Sequence, residues 1–170
     1  MATPNERIVF AAKQDAVDII DEIVNGPDDA YDLNYQDGLG NTALHYAVSG
    51  PSPDVLTLLL DLEPVDVDRQ NRLDRATPLH LAVKLENEAA RQGVVDMLLE
   101  AGADPNLKDR YGRKPAEYLH PDRSEVDKAI QQAIRVALAD RLMGGTKNNA
   151  DLADDGDDDD GEPGSGSESE

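Results

Sequence analysis

The sequence lacks cysteine and tryptophan, and it has one phenylalanine and three histidines among 170 residues. Without cysteine the chain can form neither a disulfide nor a thiolate metal ligand, and three dispersed histidines do not make a zinc site. The apolar run from Val55 to Leu62 is interrupted by Thr57 and Asp61 and is far too short to cross a membrane. The first ten residues carry charged side chains before any apolar stretch, unlike a signal peptide.

Motifs that carry catalytic or cofactor chemistry are also missing. No serine lies in a nucleophile-elbow pattern, and no phosphate-binding loop of the G-x-x-x-x-G-K type occurs. The acid-rich stretch from Asp154 to Asp160 lacks the alternating ligands and closing glutamate of a calcium-binding loop. We therefore expect no enzyme activity, no cofactor and no metal.

Basic residues are scarce, since 16 Lys and Arg stand against 36 Asp and Glu, for a net charge of -20. This balance disfavours direct binding of nucleic acid or an anionic membrane and favours a basic protein partner. Half of the net charge comes from residues 151–170, which include ten acidic residues and no basic one. Residues 144–170 are therefore predicted to be a disordered acidic tail. The predicted polyanion of this tail comprises Asp157, Asp158, Asp159 and Asp160.

A motif recurs along the rest of the chain. Thr42–Ala47 reads T-A-L-H-Y-A, and 35 positions later Thr77–Ala82 reads T-P-L-H-L-A. A degraded copy, Lys114–Leu119, follows a further 37 positions on. The first two copies are each followed by an apolar helical pattern, over Val55–Leu60 and Val94–Leu99. A period of this length indicates a repeat protein.

The pattern resembles the ankyrin repeat, which runs G-x-T-P-L-H-x-A-A and then V-V-x-L-L-L-x-x-G-A-D-x-N. The third unit carries both halves and ends in Ala101–Asn106. Thr42 and Thr77 suit helix N-caps, Pro78 suits a first helical position, and Gly102 can end a helix. The resemblance implies an all-α solenoid of about four helix-turn-helix units with finger loops.

We expect the repeat domain to span residues 1–143. Its units are placed at about 5–36, 37–70, 71–106 and 107–143. The first unit is expected to hold helices over Arg7 to Lys13 and over Ala16 to Asn25. In the last unit, a helix that begins near Ser124 is expected to bury its apolar face and to turn Asp127 toward water.

Three departures from the pattern stand out. Arg75 replaces a glycine, so the turn of the third unit must differ from its neighbours. Leu62–Asp68 replaces the usual G-A-D-x-N and suggests a longer acidic loop. Four extra residues within Lys84–Arg91 separate the two helices of the third unit. This insertion either takes part in binding or is an extra helical turn, and the residues leave both interpretations open.

The family uses its turns and first helices for recognition, and the motif histidine joins adjacent turns, a role that falls to His45 and His80. The partner-binding candidates carried over are Leu39, Asn41, Tyr46, Leu73, Asp74, Lys84, Arg110 and Tyr111. Tyr118 is a weaker candidate, because it and Tyr46 could pack between helices. The acidic candidates are Asp66, Asp68, Glu86 and Glu88. The third finger is basic instead, with Lys108, Arg110, Arg113 and Lys114.

Two functional hypotheses follow. The chain resembles small acidic fungal ankyrin-repeat proteins that hold newly made ribosomal proteins, which implies a chaperone or escort for a basic protein, a ribosomal protein or a histone. The alternative is an adaptor or regulatory subunit that binds a neutral or acidic peptide of a signalling or transcription factor. In either case we expect a monomer in the cytoplasm and nucleus.

Overall fold

The computed structural model describes residues 1–27 and 30–143, so the predicted tail and its four aspartates lie outside the described residues. Residues 1–134 form one compact unit, and the other described residues, 135–143, belong to a second. Seven α-helices are described: α1 (Pro4–Gln14), α2 (Val17–Val24), α3 (Ala43–Ser49), α4 (Pro53–Asp61), α5 (Pro78–Ala82), α6 (Glu88–Glu100) and α7 (Glu125–Leu142). A 3-10 helix, Pro115–Tyr118, precedes α7, and no strand occurs in the described ranges. The predicted all-α fold is confirmed.

The helices form pairs, and three first helices begin at a capping threonine. The side-chain oxygens of Thr42 and Thr77 each accept the N–H of the third helical residue, a histidine, which bonds back to the cap. Thr3 does the same with Glu6, so α1 starts at Pro4, three residues before the predicted start. The first unit thus has its own Thr-Pro start, a signal that the repeat comparison missed.

Stacking of equivalent helices produces the core. Helix α3 packs between α1 and α5, and α4 packs between α2 and α6. The first helices approach through fully buried alanines, Ala47 and Ala82 among them. The second helices bury Leu59 and Leu98 completely. Burial of each such side chain contributes about 1.5–3 kcal/mol to the free energy of unfolding.

The four-residue insertion lengthens α6 by one turn. Helices α4 and α6 begin at equivalent distances from Thr42 and Thr77, but α4 has 9 residues and α6 has 13. The insertion therefore forms an extra helical turn, and its role in partner binding stays a prediction. The added turn carries Glu88 and Arg91, which contact the last repeat.

Asp127 does not face water as expected. It is 5% exposed, and its carboxylate accepts hydrogen bonds from Arg91 Nε at 2.9 Å and from the backbone N–H of His120 at 2.8 Å. The prediction was wrong because the extra turn of α6 brings Arg91 against the polar side of α7. The predicted N-cap role of Ser124 is confirmed, since its hydroxyl accepts the N–H of Asp127 at 3.2 Å.

Candidate protein-binding surface

Three finger turns precede the first helices of the second, third and fourth units. They are the first finger (Asp37–Asn41), the second finger (Asn71–Ala76) and the third finger (Asp109–Arg113). In the first and third, Gly40 and Gly112 adopt φ values of 81° and 74°, and in the second Arg75 takes this role at φ 53°. The second finger is one residue longer than the others, which confirms that this turn differs.

Each finger exposes a large side chain two residues after its first residue. Leu39, Leu73 and Tyr111 are 53%, 55% and 65% exposed. We call these three residues the finger row. Isolated exposed apolar residues are ordinary, but three at the same position of consecutive repeats form a surface that favours protein contact.

Backbone hydrogen bonds hold neighbouring fingers together. The N–H of Arg72 donates to the Leu39 carbonyl at 3.1 Å, and the N–H of Arg110 donates to the Asp74 carbonyl at 2.8 Å. Asn71 Nδ2 also donates to the side-chain oxygen of Asn41 at 3.0 Å. The predicted residue Asn41 therefore joins two fingers, and the finger row is presented on a connected framework.

Two glutamines repeat this linkage behind the fingers. Gln36 Nε2 donates to the carbonyls of Gly40, at 2.6 Å, and Gln70, at 3.0 Å. Gln70 Nε2 in turn donates to the carbonyls of Arg75, at 2.7 Å, and Lys108, at 2.8 Å. The sequence reasoning missed both residues, although their 34-residue spacing matches the repeat.

The motif histidines are structural, as the resemblance implied. His45 and His80 are buried, and each Nδ1 accepts from the backbone N–H of its capping threonine, at 3.1 and 3.2 Å. Each Nε2 reaches a carbonyl of the next finger, Ala76 at 3.0 Å and Arg113 at 2.9 Å. Burial lowers the pKa of both rings, which fits a neutral imidazole that donates from Nε2.

A lysine, a tyrosine and an aspartate recur together two repeats apart. The two sets are Lys13, Tyr46 and Asp37, and Lys84, Tyr118 and Asp109. The lysine Nζ atoms lie 4.3 and 4.2 Å from the ring centres, and each tyrosine hydroxyl donates to its aspartate. Burial and the hydrogen bond to the carboxylate raise the pKa of Tyr118 to about 12, so its hydroxyl remains a donor. The two tyrosines are half-buried, and each hydroxyl binds the first residue of a finger, Asp37 or Asp109.

Several predicted acidic residues form internal contacts. Asp68 accepts the N–H of Asp104 at 2.9 Å, and Asp66 accepts the N–H of Asp68 at 3.0 Å. A carboxylate oxygen of Asp66 also lies 3.6 Å from Nε of Arg69. The structure therefore uses these carboxylates to shape the loops between units. The role of Asp66 and Asp68 in partner binding stays a prediction.

The predicted residues of the insertion line one cleft of about 480 Å³. Lys84 and Glu86 lie on one side, and His120 and Arg123 of the last repeat lie on the other. Glu88 accepts a hydrogen bond from Ser124 at 2.5 Å. The structure thus brings Lys84, Glu86 and Glu88 together around a cleft that no finger residue lines.

Charge is segregated between the fingers and the second helices. Helices α2 and α4 contain no lysine or arginine, and α6 contains Arg91 alone, which pairs with Asp127. Glu22 and Glu88 of these helices are exposed and pair with Arg7 and Arg91. The other exposed carboxylates, which we call the acidic second-helix face, are Asp18, Asp21, Asp54, Asp61 and Glu100. None of these five forms an ion pair within the described ranges. The fingers, by contrast, expose Arg72, Arg75, Arg110 and Arg113.

The described part of the chain shows no group of His, Cys, Asp or Glu arranged to hold a metal. Among the same residues, no helix is both long and apolar enough to span a membrane.

Comparison with known proteins identifies the family. A family model for ankyrin repeats, in three copies, matches residues 8–109, which is more than half of the chain. The ankyrin repeat-containing protein YGL242C of Saccharomyces cerevisiae is 34% identical over 167 residues, and the match covers 91% of both chains. The neurogenic locus notch homolog protein 1 of Xenopus laevis is 38% identical over 82 residues, which cover 48% of this chain and 3% of that protein.

NF-kappa-B inhibitor delta of Homo sapiens is 35% identical over 82 residues, which cover 47% of this chain and 26% of the inhibitor. The match thus spans nearly the whole yeast relative but only a small part of the two animal proteins. Ankyrin repeats are protein-binding scaffolds, and the finger row lies on the side that such scaffolds present. The chain belongs to the ankyrin-repeat family.

Proposed function

We propose that this protein is a non-enzymatic adaptor that holds a segment of a partner protein along the finger row. The observation that carries this proposal is the exposure of Leu39, Leu73 and Tyr111 at equivalent positions of three consecutive fingers. Covering exposed apolar area with a partner protein is favourable in free energy. Tyrosine adds a hydroxyl and loses little side-chain entropy on binding.

The support beneath the row favours binding at low conformational cost. Adjacent fingers share backbone hydrogen bonds, and the side chains of Gln36, Gln70 and His80 tie each finger to the next unit. A surface that is already ordered loses less entropy on association than a mobile loop does. The fingers are therefore suited to present side chains to a partner.

Site-specific crosslinking tests this proposal in the cells that express the protein. A photoreactive phenylalanine analogue would replace Leu73 in one variant and Phe10, which is 54% exposed on α1, in a matched control. We expect crosslinks to a partner protein from position 73 that disappear when Tyr111 is also changed to Ala. Crosslinks from position 10 alone, or from neither position, would show that the finger row is not the binding surface.

A second candidate function is the escort of a basic protein, such as a ribosomal protein or a histone. The acidic second-helix face favours it, together with a groove of about 330 Å³ between α4 and α6 that Asp61 and Glu100 border. Unpaired carboxylates on one face can bind Lys and Arg side chains and keep a basic protein from aggregating. The name of the yeast relative gives no partner and so does not choose between the two functions.

An aggregation assay with purified core histones tests the escort function. The protein should reduce histone turbidity at low salt, and the variant Asp61→Asn with Glu100→Gln should reduce it less. The control Asp122→Asn with Glu125→Gln removes the same charge elsewhere and should behave like the unchanged protein. Equal effects of both variants would contradict a specific role for the second-helix face.

We also propose residence in the cytoplasm and nucleus, which microscopy of the tagged protein would test.

A further inference from the structure

We propose that the second and third fingers bind a partner segment in which acidic side chains alternate with apolar ones. This inference rests on the proposed function of the finger row and specifies the chemistry of its partner. It differs from what the net charge of -20 suggests, because the charge at the fingers is opposite in sign to that of the whole chain.

The surface around the second and third fingers is positively charged. The exposed residues around Leu73 and Tyr111 include four arginines, Arg72, Arg75, Arg110 and Arg113. Lys108 and Lys114 flank the third finger in the sequence. Opposing carboxylates are few, because Asp109 is buried and Asp74 is half-exposed.

These four arginines have no carboxylate partner within the described part of the protein. None of the four forms an ion pair with a carboxylate in the described ranges. Arg110 donates to the Leu73 carbonyl at 2.5 Å, and Arg72 donates to the carbonyls of Asp37 and Gly38 at 3.3 and 3.4 Å. A guanidinium has five N–H donors, so Arg72 and Arg110 are held in place by these bonds and still keep donors for a carboxylate.

The backbone of Arg75 is strained. It adopts φ 53°, a conformation that glycine adopts at lower cost and that Gly40 and Gly112 occupy in the other two fingers. An arginine at this position weakens the turn, and no contact that the structure shows for its side chain offsets the strain. Strain of this kind is typical of residues that act on a partner.

The fingers also differ from one another in charge. The turn that holds Leu39 contains no basic residue, and its one carboxylate, Asp37, accepts the Tyr46 hydroxyl, whereas Leu73 and Tyr111 lie among arginines. Arginine and tyrosine are the residues that most often dominate binding energy at interfaces. We therefore place the acidic end of the partner segment on the second and third fingers and an uncharged part on the first.

Selection from a phage library of random dodecapeptides, with the full chain as target, tests the inference. We expect the selected peptides to be rich in Asp and Glu with intervening Leu, Ile, Phe or Tyr. Affinity of a labelled selected peptide, measured by fluorescence anisotropy, should fall steeply as salt is raised. Neutral or basic selected peptides, or affinity that salt does not change, would overturn the inference.

Variants separate this inference from the proposed function. Arg72→Glu with Arg110→Glu should weaken the peptide by about tenfold or more, whereas Arg123→Glu with Lys128→Glu, an equal charge change elsewhere, should weaken it by less than about twofold. Arg75→Gln provides a milder change if the double variant unfolds, and should weaken the peptide measurably. If Tyr111→Ala weakens binding but the arginine variants do not, the acidic partner is wrong and the finger row stands. If Tyr111→Ala and Leu73→Ala leave binding unchanged, the finger row itself is wrong.

Discussion

His80 joins the third repeat to the fourth, because its Nε2–H donates to the carbonyl oxygen of Arg113 at 2.9 Å. The same ring accepts hydrogen bonds at Nδ1 from the backbone N–H and the hydroxyl of Thr77. One buried side chain therefore caps its own helix and fixes the neighbouring finger. His45 makes the equivalent contacts with Thr42 and Ala76.

Replacing His80 with alanine should destabilise the protein. The change leaves the Arg113 carbonyl without its donor and the Thr77 N–H without its acceptor, and it opens space in a fully buried site. We expect the free energy of unfolding to fall by about 2–4 kcal/mol in urea titrations. His120→Ala is the control, because His120 is exposed, and it should change the value by less than about 0.5 kcal/mol. Similar losses from both variants would contradict the linking role.

The two buried histidines should also make stability depend on pH. Burial lowers the pKa of His45 and His80 in the folded state, so below pH 6.5 the unfolded chain binds more protons than the folded one. Their contribution is therefore fully present above pH 6.5 and is lost as the pH falls toward their lowered pKa values. We expect the free energy of unfolding to decrease from about pH 7 to pH 5.

Comparison with the variant His45→Gln with His80→Gln isolates this effect. Burial and the nearby Glu100 raise the pKa of Asp96, which acts in the opposite direction and remains in the variant. The variant should be less stable at pH 7 and should show a flatter pH dependence. An unchanged slope would mean that other groups produce the dependence.

The capping threonines and motif histidines were predictable because their chemistry is local. A threonine three residues before a histidine forms the N-cap hydrogen bonds within its own helix, so the cap does not depend on contacts with other units. The tip residues Leu39, Leu73 and Tyr111 could be placed in turns for the same reason. Their exposure follows from the turn geometry, and the structure confirms it for all three.

Contacts between units could not be read from periodicity. The helical pattern of α7 placed Asp127 opposite the apolar face, but it gave no sign that Arg91, 36 residues earlier, would cover that side. Similarly, Asp68 is acidic by composition, yet its carboxylate accepts a backbone N–H from the next unit. A count of charge from sequence therefore does not separate a carboxylate that faces solvent from one that holds a loop in place.

Alanine at two equivalent glycines should have unequal effects. Gly40 and Gly112 both adopt positive φ, which costs a non-glycine residue about 1–2 kcal/mol. At Gly40 an added Cβ would also lie 2.3 Å from the backbone nitrogen of Arg72, whereas nothing lies within 4 Å at Gly112. We expect Gly112→Ala to lower the free energy of unfolding by about 1 kcal/mol and Gly40→Ala by about 3 kcal/mol or more. Equal losses in urea titrations would show that the first two fingers do not touch at this point.

The ion pair between Arg91 and Asp127 should hold the extra turn of α6 to the last repeat. Their side chains are 12% and 7% exposed, and Nε lies 2.9 Å from the carboxylate. Asp127→Ala leaves a nearly buried guanidinium with only the exposed carboxylate of Glu88, 3.7 Å away, and we expect a loss of about 3 kcal/mol in the free energy of unfolding.

A double-mutant cycle separates the pair from its surroundings. Arg91→Met combined with Asp127→Ala should cost at least about 1 kcal/mol less than the sum of the two single variants, because the second change removes a charge that the first left unpaired. The exposed pair of Asp122 and Arg123, 4.0 Å apart, is the control and should show a coupling below about 0.5 kcal/mol. Additive losses at Arg91 and Asp127 would mean that the contact contributes no interaction free energy. The ion pair would then not be what holds the extra turn of α6 to the last repeat.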